Sequence, residues 1–156
     1  MSSNSENRGG RVGHIIDCSA SAFIPYPDEW IILESDQIAS RITAAHLVWN
    51  INNIDFVMTK KQKDGPVLVE QIYKDLMGQR VLPAHVLDYL LANSFLLPKR
   101  CEFQYTYFWG TIYHHRINNG RLVRYLYSFN GEWKWDYANF VLQCSGVMPA
   151  AILKVE

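Results

Sequence analysis

Between Phe103 and Phe140 the chain alternates large apolar and polar positions with a period of two, the pattern of half-buried strands. "FQYTYFWGTIYHH", "RLVRYLYSF" and "EWKWDY" are rich in aromatic and β-branched residues, and most of the chain's aromatic side chains fall here. The links contain Asn119-Gly120 and Asn130-Gly131. Asn-Gly suits the type I′ turn, in which both central residues need positive φ. The pattern predicts a three-stranded, or larger, antiparallel meander.

Upstream, the periodicity changes. Val12, Ile15 and Ile16 centre a short strand ending near Asp17, and Pro25 and Pro27 then hold the chain in an extended connector. "WIIL" suggests a strand over residues 30–34. Ile38, Ile42, Ala45 and Trp49 lie at helical spacing and predict a helix at about 36–48, capped by Ser35 or Asp36. The β-branched Ile42, Thr43 and Val48 favour a competing strand. "IDFVMT" is strand-like, and "KKQKDGP" reads as a basic turn. Val69, Ile72, Tyr73 and Leu76 share a helical face closed by Gly78. Val86, Leu87, Leu90 and Leu91 mark the clearest helix, with Pro83 in its first turn and Pro98 beyond its end. "MPAAILKV" reads as a last strand returning to the core. The predicted class is α+β, with helices packed on one face of the C-terminal meander. Residues 1–11 form a polar tail and 12–156 one domain.

Strand parity then sorts the rings. If both Asn-Gly pairs are two-residue turns, one face collects Trp109, Thr111, Tyr113, His115, Arg124, Leu126, Ser128, Trp133, Trp135 and Tyr137. The other collects Phe108, Ile112, His114, Val123, Tyr125, Tyr127 and Phe129, with Glu132, Lys134 and Asp136 on the third strand. The second set suits packing on helices. The first mixes indoles and phenols with an arginine, as binding surfaces do. A one-residue change in register would flip the first strand.

Composition narrows the functional classes. Fifteen basic and fifteen acidic side chains give zero formal net charge, which lacks the basic excess of a general nucleic-acid binder and mildly favours self-association. The three cysteines, Cys18, Cys101 and Cys144, form no Cys-x-x-Cys pair and read as reduced thiols of a cytoplasmic protein. No secretory signal and no apolar stretch of membrane-spanning length is present. Glycine-rich phosphate loops are absent from the sequence. His114 and His115 are strand neighbours that point to opposite faces, so no metal site is expected, and no cofactor. His14, Asp17 and Cys18 could serve a hydrolase or transferase, but residues 14 and 18 of one strand lie about 13 Å apart. Lys60, Lys61 and Lys63 form a compact basic patch.

"VLPAHVLDYLLANSFLLP", "FWGTIYHHRINNGRLVRYLYSFNGEWKWDY" and "PAAIL" together resemble an uncharacterised group of small bacterial proteins. Their C-terminal halves share an FWGTIY–VRYLY–W-x-W-x-Y–PAA-x-L frame, and "DFVMTKKQKDG" is similar to their middle, so the likeness runs over about residues 14–153. "LLPKRCEF" and "VLQCSGVMP" depart from the frame. The resemblance implies a coherent domain of the kind used by diversified ligand-binding proteins, and no reaction.

The expectation is a non-enzymatic module that captures a protein or small ligand on Trp109, Tyr113, His115, Arg124, Trp133, Trp135 and Tyr137. Single-stranded nucleic acid, stacked on the same rings along the lysine patch, is the alternative.

Overall fold

The computed structural model describes residues 13–154, so the polar tail expected at 1–11 lies outside the described residues. In chain order the strands are β1 (His14–Asp17), β2 (Trp30–Ile31), β3 (His46–Trp49), β4 (Ile54–Val57), β5 (Val67–Leu68), β6 (Thr106–His115), β7 (Arg121–Phe129), β8 (Glu132–Asn139), β9 (Gln143–Cys144) and β10 (Ala150–Leu153). The α-helices are α1 (Lys60–Asp64), α2 (Val69–Asp75) and α3 (Ala84–Ala92). The chain is mixed α/β, with a mostly antiparallel sheet in its C-terminal region. That sheet runs β4-β10-β6-β7-β8, with β2 paired to the end of β6. β10 is antiparallel to β4 and parallel to β6. Two small ribbons, β1-β3 and β5-β9, stand apart from it.

Two upstream elements differ from the sequence reading. No helix occupies 36–48. A 3-10 turn at Glu34–Asp36 leads into irregular chain, and β3 follows. Leu47 and Trp49 point inward while His46 and Val48 point out, a period of two that pairs β3 with β1. The backbone between is held from outside: the Ile42 N–H donates to Val81 O at 3.2 Å, and Cys18 N–H to Ala45 O at 2.7 Å. The basic turn is instead helix α1. Thr59 accepts from the Gln62 N–H while the Gln62 side chain accepts from the Thr59 N–H, a reciprocal cap readable in Thr59-x-x-Gln62.

The two hairpins behave differently. Asn130 and Gly131 both have positive φ, and β7 and β8 pair as a two-residue turn requires, Phe129 with Glu132 through Arg124 with Tyr137. Asn119-Gly120 makes no such turn. The β6–β7 loop spans residues 116–120, with His115 Nδ1 accepting the Ile117 N–H and Asn118 Oδ1 the Gly120 N–H. Tyr113 therefore pairs with Leu122, four residues from the expected register. An even shift keeps Tyr113 on the Arg124 face.

A bulge then breaks β6. Ile112 pairs with Val123 and Tyr107 with Tyr125, so residues 108–111 face Arg124 alone. Gly110 lies in the bulge, where an added Cβ would meet the Leu82 carbonyl carbon at 2.5 Å. Its N–H donates to Leu82 O at 2.8 Å. The odd shift moves Trp109 to the face opposite Arg124 and Phe108 onto the Arg124 side.

Helices consequently lie against both faces of the sheet rather than one. α3 and the β1-β3 ribbon cover the Arg124 face through Val86, Leu87, Leu90, Ile16 and Leu47, against Phe108 and Leu126. α2 covers part of the Tyr125 face through Val69, Ile72 and Tyr73, against Trp109, Ile112 and Val123.

Candidate functional site

Seven side chains were expected on one binding face, and the structure divides them. Arg124 is 1% exposed and serves as a buried cross-link. Its guanidinium donates to both Asp88 oxygens on α3, at 2.9 and 3.1 Å, and stacks 4.2 Å above the Trp135 ring. Tyr113 lies beneath, its hydroxyl donating to Phe23 O at 2.8 Å. Burial is the largest influence and disfavours the arginine's charge, yet Asp88 and Tyr113 together outweigh it and leave the pKa raised. The Tyr113 phenol is pushed up by burial, with Arg124 opposing. Arg124 is thus committed to Asp88 and is not a free anion receptor.

The others follow the same division. Trp109 is buried on the far face. Trp133 and Trp135 are half-buried against the α3 cluster. Tyr137 keeps 42% exposure beside the Trp30 ring, 5.0 Å away. His115 lies 3.8 Å from Glu29 and, because of the loop, is not opposite Arg124. Its neighbour His114 meets Asp36 at 3.0 Å. The structure therefore gathers Tyr113 and Arg124 in the core, with the half-buried Trp135 ring against the guanidinium.

On the other face the rings form a continuous array. Tyr125 stacks on Tyr107 at 4.8 Å, Tyr105 and Tyr127 each lie within 5.8 Å of Tyr125, and Tyr105 to Tyr127 is also 5.8 Å. The array runs from buried Tyr107 to Tyr105, 43% exposed, with Phe129 uncovered at the hairpin end. Across the strand Tyr125 faces Asp136 and Tyr127 faces Lys134. Burial, then Asp136, pushes the Tyr125 phenol up to about 12. Burial and Cys144 push Tyr107 up further. The signal was present in "RYLYSF", but parity alone does not say where a helix stops covering a face.

Helix α1 adjoins this array through one short segment. Gln62 Nε2 donates to Met148 O at 2.8 Å, and the Tyr105 N–H donates to Val147 O at 2.9 Å. The segment carrying Lys60, Lys61 and Lys63 and the strand entrance carrying Tyr105 are thus tied to consecutive residues.

A cleft of about 580 Å³ opens elsewhere, lined by Cys18, Ile32, Arg41, His85 and Thr111 among others. Most of its polar groups are engaged with the protein, while His85 Nδ1 is buried without a hydrogen-bond partner. Arg41 pairs with Glu34 at 2.5 Å, Gln37 donates to Leu33 O and Ile112 O, and Thr111 accepts the Ala84 N–H at 2.9 Å. His85 Nε2 reaches Ala20 O at 2.8 Å. The candidate His14, Asp17 and Cys18 have separate partners. His14 meets the Tyr89 hydroxyl at 2.8 Å, while Ser19 hydrogen-bonds Asp17 and holds its carboxyl below the usual range. Burial, and then Asp17, raises the Cys18 thiol, which opposes formation of a nucleophilic thiolate. All three cysteines are free.

Among the described residues no group of three or more His, Cys, Asp or Glu side chains gathers to hold a metal, and no helix is long and apolar enough to cross a membrane. Compared with protein-family models, curated proteins and solved structures, the chain matches none.

Proposed function

We propose that this chain is a non-enzymatic binding module whose contact surface is the open end of the Tyr125 face, and that it captures a protein. The observation that carries this reading is the mutual contact of Tyr105, Tyr125 and Tyr127 on a sheet face that α2 leaves uncovered. Clustered tyrosines offer large rigid area with polar tips, at little side-chain entropy cost on binding. Lys134 and Asp136 beside them supply charges of both signs for orientation. Relative to the expected surface, the arginine and two of the aromatic rings, Trp109 and Tyr113, withdraw to the core, and the tyrosines take their place.

The test is selection of a phage-displayed peptide library on the folded chain, followed by binding of the enriched peptides to Tyr105→Ala/Tyr127→Ala. Loss of capture by at least roughly ten-fold, about 1.4 kcal/mol, with the melting temperature within a few degrees of wild type, is the expected result. Equal binding by the variant would remove the surface.

A second reading, single-stranded nucleic acid, is favoured by the shared attachment of α1 and Tyr105 at residues 147–148. Bases stacked on tyrosine contribute about 1–3 kcal/mol each, and the α1 lysines would follow the phosphates. A labelled oligothymidylate titrated over a salt series decides it. Absence of affinity at low salt eliminates nucleic acid and leaves the protein reading.

A further inference from the structure

We infer that β8 is a self-pairing edge: a second copy of this chain adds to it antiparallel, about a two-fold axis at Trp135. β8 is the last strand of its sheet, with none beyond it among the described residues. The two-residue turn makes Phe129 and Glu132 a hydrogen-bonded pair, and bonded and non-bonded pairs alternate from there. Lys134 and Asp136 therefore direct their backbone groups to β7, while Trp133, Trp135 and Tyr137 direct theirs to the open edge. The Tyr137 N–H accordingly donates to the neighbouring Asp136 Oδ1, at 2.8 Å. It is an edge donor held by a side chain in the place of a strand.

Charge selects both the occupant and the register. Glu132, Lys134 and Asp136 project from one face with alternating sign. A two-fold centred on Lys134 sets Lys134 against itself and Glu132 against Asp136, like charges throughout. Centred on Trp133, the pairing runs Trp135 into the turn and leaves Tyr137 without a mate. Centred on Trp135, Lys134 of each copy faces Asp136 of the other, and Trp133 faces Tyr137. All three outward-directed residues then meet outward-directed residues. Alternating charge on an edge ordinarily discourages pairing, and here it excludes the register centred on Lys134, as the turn excludes that centred on Trp133, while permitting this one. Zero formal net charge removes long-range repulsion between copies. The inference does not rest on the tyrosine surface.

Sedimentation equilibrium of the full chain, of Lys134→Glu and of Asp136→Lys tests it. Wild type is expected to dimerise. Each variant alone sets like charges across the axis twice and is expected to dimerise at least roughly ten-fold more weakly. Mixed together, the two variants are expected to form a one-to-one heterodimer, because both cross-strand pairs are then of opposite sign. Misfolding cannot produce that rescue. A wild-type chain that remains monomeric up to millimolar concentration overturns the inference. So do variants that dimerise as wild type does, or a mixture that stays unassociated.

Discussion

The two faces of the C-terminal sheet share one backbone and a similar supply of rings, yet one buries an arginine under a helix and the other gathers tyrosines at its uncovered end. On the Arg124 face, α3, the β1-β3 ribbon and the 23–30 connector cover everything up to the half-buried Trp133 and Trp135. On the Tyr125 face, α2 covers Trp109, Ile112 and Val123 and stops short of Tyr105 and Tyr127. The difference lies in what each side chain needs. An arginine packed on the Trp135 ring is tolerated under a helix because Asp88 on that helix accepts two of its hydrogen bonds. Tyrosines need no such partner and can stand at the border between core and water. Aromatic content therefore does not locate a surface, whereas the placement of polar partners does.

The largest test of this contrast is Arg124→Ala, which strands the Asp88 carboxylate beside the core. A loss of about 3 kcal/mol is expected, a fall of roughly 6–12 °C in melting temperature. Arg124→Met with Asp88→Leu is expected to recover most of it. A shift of under about 2 °C in the single variant would return Arg124 to the surface.

Gly110→Ala comes next, because its Cβ would meet the Leu82 backbone, which has little room to yield. A loss of about 2 kcal/mol is expected by chemical denaturation. A neutral result would mean that the bulge moving Trp109 across the sheet is not held by that contact. Thr59→Ala removes one side of the α1 cap and is expected to lower stability by about 1 kcal/mol. It should also weaken oligothymidylate binding if the α1 lysines line a nucleic-acid path.

The smallest effect is in alkali. Burial, and then Asp136, pushes the Tyr125 phenol up to about 12 in the folded state, above the ordinary tyrosine value of 10.0. The unfolded chain loses the phenol proton first, so the stabilisation is complete below pH 10 and declines as pH rises towards 12. Tyr125→Phe is expected to make the melting temperature fall less steeply over that window. An unchanged slope would show that Tyr125 is freely hydrated.

Legibility followed the range of the interactions. Asn130-Gly131 set its register locally, since two positive φ angles determine the hairpin. Asn119-Gly120 did not, because the His115 ring captures backbone donors and lengthens the loop. The β6 bulge depends on the Leu82 backbone, far away in sequence, and no local pattern announces it. The helix expected at 36–48 was lost to β1, whose Ile16 pairs with Leu47. The alternation Leu47-x-Trp49 was visible but shorter than the competing helical stripe. Of the candidate site, ring identity and parity near the second hairpin were readable. Burial was not, because it depends on where α2 ends and where Asp88 lies.

Tyrosine nitration of the folded chain, mapped by mass spectrometry, addresses the contrast between the faces most directly. Rapid modification of Tyr105 and Tyr127, with Tyr113 and Tyr107 protected until unfolding, is the expected outcome. Nitration of Tyr113 as fast as Tyr105 in the native protein would contradict it, because the site around Arg124 would then be open to solvent.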